Sequence, residues 1–189
     1  MLTGLNSSTA EKLQLGAGII SRAKVEANTI IDDDWKKANV LTATNGGITV
    51  ALVPEFYTPA IDGNFDNVKG TGKTLTRWTA TVTTTAVETE IAMLKTALGV
   101  VDVAGTKLTG RHNIKESDYQ DLYVIAEKSN GELIQVTLKN SMNTSGLSLA
   151  TANNGQGGIS LTISANYDVK KPNEVPFEID VLVPATTGA

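Results

Sequence analysis

Ile159-Ser160-Leu161-Thr162-Ile163-Ser164-Ala165-Asn166-Tyr167 is the stretch on which the fold turns. Apolar residues at 159, 161, 163, 165 and 167 alternate with polar ones at 160, 162, 164 and 166. Side chains of an extended chain point to opposite faces in turn, so this pattern predicts an antiparallel strand with one buried face. The same period of two recurs on either side. Phe177, Ile179, Val181 and Val183 alternate with Glu178 and Asp180, which predicts a strand over 176–183 with its apolar set inward. Ile134, Val136 and Leu138 alternate with Gln135 and Thr137, and Trp78, Ala80 and Val82 alternate with Arg77, Thr79, Thr81 and Thr83. Further strands are expected near 17–26, 48–56 and 119–127, giving at least seven. Ser129-Asn130-Gly131 has the residues of a short hairpin turn, and Asn153-Asn154-Gly155 with Gly157-Gly158 those of a looser one.

One segment departs from this period. Val87, Ile91, Leu94 and Leu98 recur at spacings of three and four, which predicts a helix over about 86–98. Thr85 followed by Glu88 fits a capping box, and Gly99 fits a C-terminal stop. The expected fold is therefore mainly β, two packed antiparallel sheets (a sandwich or open barrel) with one flanking helix. The stretches 27–47 and 57–74 read as long irregular loops, and loops of that length in a compact β domain usually bind or assemble. Residues 1–14 read as an N-terminal arm, 15–184 as the β domain and 185–189 as a C-terminal tail.

Composition narrows function by exclusion. The chain has 189 residues, 41% of them hydrophobic and 19% charged, enough for one packed core. Sixteen Lys and Arg against twenty Asp and Glu leave a net charge of −4, which disfavours a phosphate grip or a polybasic membrane patch. With no Cys, thiolate metal sites, disulfides and Cys nucleophiles are excluded; His112 is the one histidine. Met1–Ala10 reads as a mature cytoplasmic start rather than a signal peptide. No apolar run approaches the roughly 20 residues that span a bilayer.

The motifs that suggest chemistry resolve into structural features. Gly70-Thr71-Gly72-Lys73-Thr74 resembles the end of a phosphate loop, but Asn67 stands where the first Gly belongs, and a strand rather than a helix follows. Asp32-Asp33-Asp34 lacks the alternate spacing and bidentate Glu of a calcium loop and reads as a solvated run. His112, between Arg111 and the pair Asp118 and Asp121, lies in an exposed connector rather than a pocket. Glu178 and Asp180 share a strand face, as solvated charges do. Most aromatics (Trp78, Phe56, Tyr57, Tyr119, Tyr123, Tyr167, Phe177) fall at alternating core positions; Trp35, beside the acidic run, is the exception and fits a partner contact. No catalytic residue, metal ligand or cofactor is expected.

Taken in order, several segments resemble the major tail tube protein of long-tailed bacteriophages, of the siphophage type found on Gram-positive hosts. They are Leu15-Gly16-Ala17-Gly18-Ile19-Ile20; Leu41-Thr42-Ala43-Thr44-Asn45-Gly46-Gly47-Ile48 with Val53-Pro54-Glu55-Phe56; and Ile61-Asp62-Gly63 with Val68-Lys69-Gly70. Trp78 in its Thr-rich strand follows, then Gly110-Arg111-His112-Asn113 and Ser117-Asp118-Tyr119-Gln120-Asp121-Leu122. The closing set is Asn140-Ser141-Met142-Asn143-Thr144-Ser145-Gly146, Gly155-Gln156-Gly157, the strand at 159–167 and Val175-Pro176-Phe177-Glu178. The likeness runs from about Leu13 to Pro184.

The resemblance implies a structural subunit that forms hexameric rings stacked into a hollow virion tail, assembled in the host cytoplasm. It implies as partners the chain itself, a tape-measure protein, a baseplate or tip and a tail terminator, with viral DNA passing through the bore without specific binding. On this view Asp32, Asp33, Asp34, Trp35, Asp62, Phe65 and Lys69 belong to assembly loops. Asp121, Glu127, Glu132, Glu178 and Asp180 are candidate bore acids that keep phosphates off the wall. Two alternatives stand: the inner tube of a contractile tail or phage-derived bacteriocin, and, in another class, a carbohydrate-binding β-sandwich module. An enzyme fits least.

Overall fold

A computed structural model describes residues 16–27, 29–60, 62, 72–149 and 157–183. The expected arms at 1–14 and 185–189, and Phe65 and Lys69, lie outside the described residues. In chain order the elements are β1 (Ile19–Ser21), α1 (Asp33–Asn39), β2 (Val40–Thr42), β3 (Thr44–Tyr57), β4 (Thr74–Ala86), α2 (Ile91–Leu98), β5 (Val101–Ala104) and β6 (Lys107–Gly110). A 3-10 turn at Glu116–Asp118 precedes β7 (Gln120–Glu127), β8 (Leu133–Asn143), β9 (Ile159–Ser164) and β10 (Phe177–Leu182).

Two antiparallel sheets share one strand. The first runs β2-β1-β7-β8-β10; the second runs β3-β4-β9 and ends on β8. β8 changes sheet part-way along. Its first half, Leu133–Leu138, lies between β7 and β10, whereas Met142 and Asn143 pair with β9. The bend falls at a bulge where Lys139 and Asn140 oppose Asp121. Asn140 takes a positive φ of 47°, which Asn tolerates better than most residues, and its N–H donates to Asp121 Oδ1 at 2.8 Å.

The alternation decides what is packed between the sheets. Ile159, Leu161 and Ile163 of β9 are buried as expected, against Val82 and Ala86 of β4 and Leu122, Val124, Val136 and Leu138 of β7 and β8. α2 closes one end of this core with Met93 and Ala97. It begins at Ile91, not near residue 86. Glu90 occupies its N-cap, and Glu88 accepts from the N–H of Ala43 at 2.9 Å, so no capping box with Thr85 forms. Gly99 ends the helix as expected: φ is 71°, and a Cβ there would stand 3.1 Å from the Asn143 carbonyl.

Two further expectations need correction. The stretch 27–47 is no single loop, because it contains α1, β2 and the start of β3. Asp32 is the N-cap of α1, accepting from the N–H of Trp35 at 2.7 Å, with Asp33 and Asp34 in the first turn and Lys36 and Lys37 in the last. That charge order suits a helix dipole. The second correction concerns β10. Its apolar residues Ile179 and Val181 are exposed, while Asp180 is half-buried. They do point to the core side, opposite Val136 and Ile134, but the second sheet does not cover them.

Candidate functional site

The candidate surfaces are strand edges and the faces beside them. β3 pairs with β4 along 14 residues, whereas β4 pairs with β9 only over Thr81–Ala86. The rest, residues 52–57 against 74–80, is a two-stranded ribbon that extends about 20 Å beyond the third strand, at ~3.3 Å per residue. Its core-facing side carries Leu52, Pro54, Phe56, Leu75 and Trp78. At its root Trp78 meets Phe177 of β10 edge to face, and the Trp78 N–H donates to Tyr167 Oη at 2.7 Å. On its other side Glu55 takes Arg77 at 2.7 Å and the Thr79 hydroxyl at 2.6 Å, contacts that hold the Glu55 carboxyl below its ordinary pKa.

Beyond the ribbon, the outward face of the second sheet is a field of hydroxyls. Thr49 opposes Thr83, and Thr83 opposes Thr162; Thr81 opposes Ser164, and Thr85 opposes Ser160. No charged side chain lies among these rows. Between the sheets, at the β3 edge, an open cleft of about 380 Å³ is lined by Ile48, Val50, Val124, Ala126, Ile134 and Val136.

The acidic candidates distribute unevenly. Tyr123, Ile125, Thr137 and Gln135 mark the outer face of the first sheet, and register places Asp121, Glu127, Glu178 and Asp180 on that same face. Glu132 lies in the turn between β7 and β8. Lysines compensate three of the five: Lys139 with Glu178, Lys128 with Glu132 at 2.7 Å, and Lys24 with Asp180 at 3.7 Å. α1 sits over part of this face, with Trp35 packed on Val25, Ile125 and Leu133.

Trp35 is half-buried and packs on the first sheet, and among the described residues the exposed aromatics are Phe56 and Tyr57, which the alternation had placed in the core. Asp32, Asp33 and Asp34 are exposed at the helix start, where Asp33 and Asp34 face Lys36 and Lys37 at 3.7 and 3.6 Å. Asp62 is exposed. The structure brings Asp32–Trp35 together on one helix and leaves them apart from the ribbon.

A cluster that spacing alone did not reveal lies beneath His112, which is itself exposed. The Arg111 guanidinium binds the buried Asp118 carboxylate, reaches Asp102 at 2.9 Å and donates to the carbonyl of Val101 at 3.2 Å. The N–H of Lys115 donates to Asp118 at 2.8 Å. Burial alone would raise the Asp118 pKa; the Lys115 N–H and the Arg111 charge outweigh it and hold the carboxyl below its ordinary value. The cluster clasps the β5–β6 hairpin to the turn before β7. Among the described residues no group of three or more His, Asp or Glu could hold a metal, and no helix is long and apolar enough to cross a membrane.

No protein-family model and no curated protein sequence matches the chain. Solved structures similar to it include a chain from the tail of an empty GTA particle with C6 symmetry: 13% identity, 79% of this chain and 91% of that one, TM-score 0.40. A chain from the virion of a native gene transfer agent particle shares 10% identity over 80% and 92%, with a TM-score of 0.41. A chain from the tube-terminating cap of the anti-feeding prophage shares 12% identity over 95% and 94%, with a TM-score of 0.45. These neighbours are components of tail and virion particles. At such identities and TM-scores, function has to be read from this chain's own surfaces.

Proposed function

We propose that this chain is the structural subunit of a phage-type tail tube, a protein whose activity is its own assembly into stacked, closed rings. The observation that carries the reading is the ribbon of β3 and β4. It leaves the body with one whole strand edge unpaired among the described residues, and exposed Phe56 and Leu75 on its core-facing side. A long free edge with apolar flanks is an aggregation hazard in a monomer and an asset in a polymer that closes on itself. Hexameric rings, a tape-measure protein, a tip complex, a tail terminator and location in a virion follow from the resemblance of the sequence and belong to the same proposal.

We place the bore against the hydroxyl face of the second sheet. A channel that conducts DNA should offer it no grip, and these Thr and Ser rows carry no cation, the neighbouring Arg77 being held by Glu55. The acidic face is the weaker candidate, because α1 covers part of it and lysines pair with Glu178 and Asp180.

Phe56 and Tyr57 bear on the carbohydrate-binding alternative. As adjacent strand residues they point to opposite faces, so they do not form one stacking platform for a sugar. Sedimentation velocity over a concentration series separates the readings. Assembly predicts growth from monomer to large species with no ligand added; a persistent monomer that shifts only with glycan would overturn it.

A further inference from the structure

The two sheets do not end together: each carries its core-facing side past the reach of the other. On the first sheet, register sets Phe177, Ile179 and Val181 of β10 opposite Leu138, Val136 and Ile134, all toward the second sheet. Trp78 covers Phe177, yet Ile179 and Val181 are 54% and 57% exposed. On the second sheet, Pro54 opposes Trp78 and Phe56 opposes Leu75, again toward the first sheet. Phe56 and Leu75 are 56% and 46% exposed. One molecule thus presents two apolar overhangs, one on each sheet. The Trp78–Phe177 contact fixes the ribbon root at one end of β10, so the molecule does not fold its own ribbon over the other end.

We infer that these overhangs are the two halves of one head-to-tail contact, in which Phe56 and Leu75 of one copy seat on Ile179 and Val181 of the next. This deepens the assembly reading and rests on it. Seating completes the sandwich that each copy leaves unfinished, at the ~10 Å spacing of packed sheets. It buries no charge, since Glu178 and Asp180 project from the opposite face of β10, where Lys139 and Lys24 meet them. Among the described residues both strands also keep a backbone edge free, β10 pairing with β8 and β3 with β4. The ribbon's footprint, two strands wide, is on the order of 200 Å² per copy, well below the ~800 Å² per partner of a stable pair. A single contact is therefore weak, and persistence requires each copy to use both overhangs in a repeating or closed array.

Because the chain lacks Cys, the contact can be read by introduced pairs. Protein carrying Leu75→Cys and Ile179→Cys together, concentrated until particles form and then treated with an added oxidant, should give a ladder of covalent species beyond the dimer on a non-reducing gel. Each single variant should stay at the monomer band. Particles in the microscope with no ladder, a ladder that stops at the dimer, or cross-linking of a single variant would overturn the contact and leave the assembly reading standing. Absence of particles at every concentration would remove both. Val181→Lys, at an exposed position, should keep the wild-type circular dichroism and raise the concentration needed for assembly about tenfold or more; unchanged assembly also overturns the contact.

Discussion

Trp78 and Phe177 meet with ring centroids 5.3 Å apart and planes at 71°, and through this pair the β3–β4 ribbon is joined to the β10 edge. Edge-to-face geometry sets the positive ring rim against the negative face, which adds to the area buried. Replacing either ring by Ala should cost about 2 kcal/mol, below the range for fully buried aromatics because both are half-buried. A double-mutant cycle read by urea denaturation should return a coupling of about 1 kcal/mol. Additive losses would mean that the two rings do not act together.

Asp118 supplies a pH dependence whose sign follows from its environment. Its folded-state pKa lies below the unfolded value, so its contribution to stability is complete above the unfolded pKa and is lost as pH falls through the folded one. Asp118→Asn should therefore lose about 3 kcal/mol at pH 7 by leaving Arg111 half-buried beside a neutral amide. The gap to wild type should narrow below about pH 4. Urea melts at pH 7, 5 and 3.5 check this, and a gap that does not change with pH would contradict it.

The acidic run at α1 is a cap, and its three members should behave unequally. Asp32→Ala removes the acceptor for the Trp35 N–H and should cost about 1 kcal/mol. Asp33→Asn and Asp34→Asn, whose side chains face solvent and nearby lysines, should each cost less than about 0.5 kcal/mol. Thermal melts of the three variants distinguish a cap from a uniform acidic patch.

Deletion of 57–72 should leave a folded protein that no longer assembles. Among the described residues the buried core cluster lies outside that segment, in β1, β2, β4, α2 and β7 to β9. Circular dichroism should match wild type while sedimentation shows a monomer. Normal particles from the deletion would show that the ribbon end is dispensable.

Legibility in the sequence followed how local the deciding physics is. Residues 159–163 were readable because alternation and burial coincide there. In β10 the alternation was equally clear, yet it could not tell that Ile179 and Val181 lie where no second layer reaches, since coverage depends on a distant ribbon. α1 escaped the periodicity because seven residues make only two turns. Its signal was nonetheless present: Asp32 at the cap, acids in the first turn and lysines in the last. Trp35 packs inward although it stands beside a charge run, and Phe56 is exposed although it stands in an alternating strand, because it sits on an overhang. The Arg111–Asp118 pair joins two irregular segments, and no period links them.

Negative-stain electron microscopy of the concentrated protein tests the central claim most directly. Hollow rings or filaments of uniform width, with a stain-filled bore, are the expected result. A field of separate 19.9 kDa particles at every concentration would contradict it.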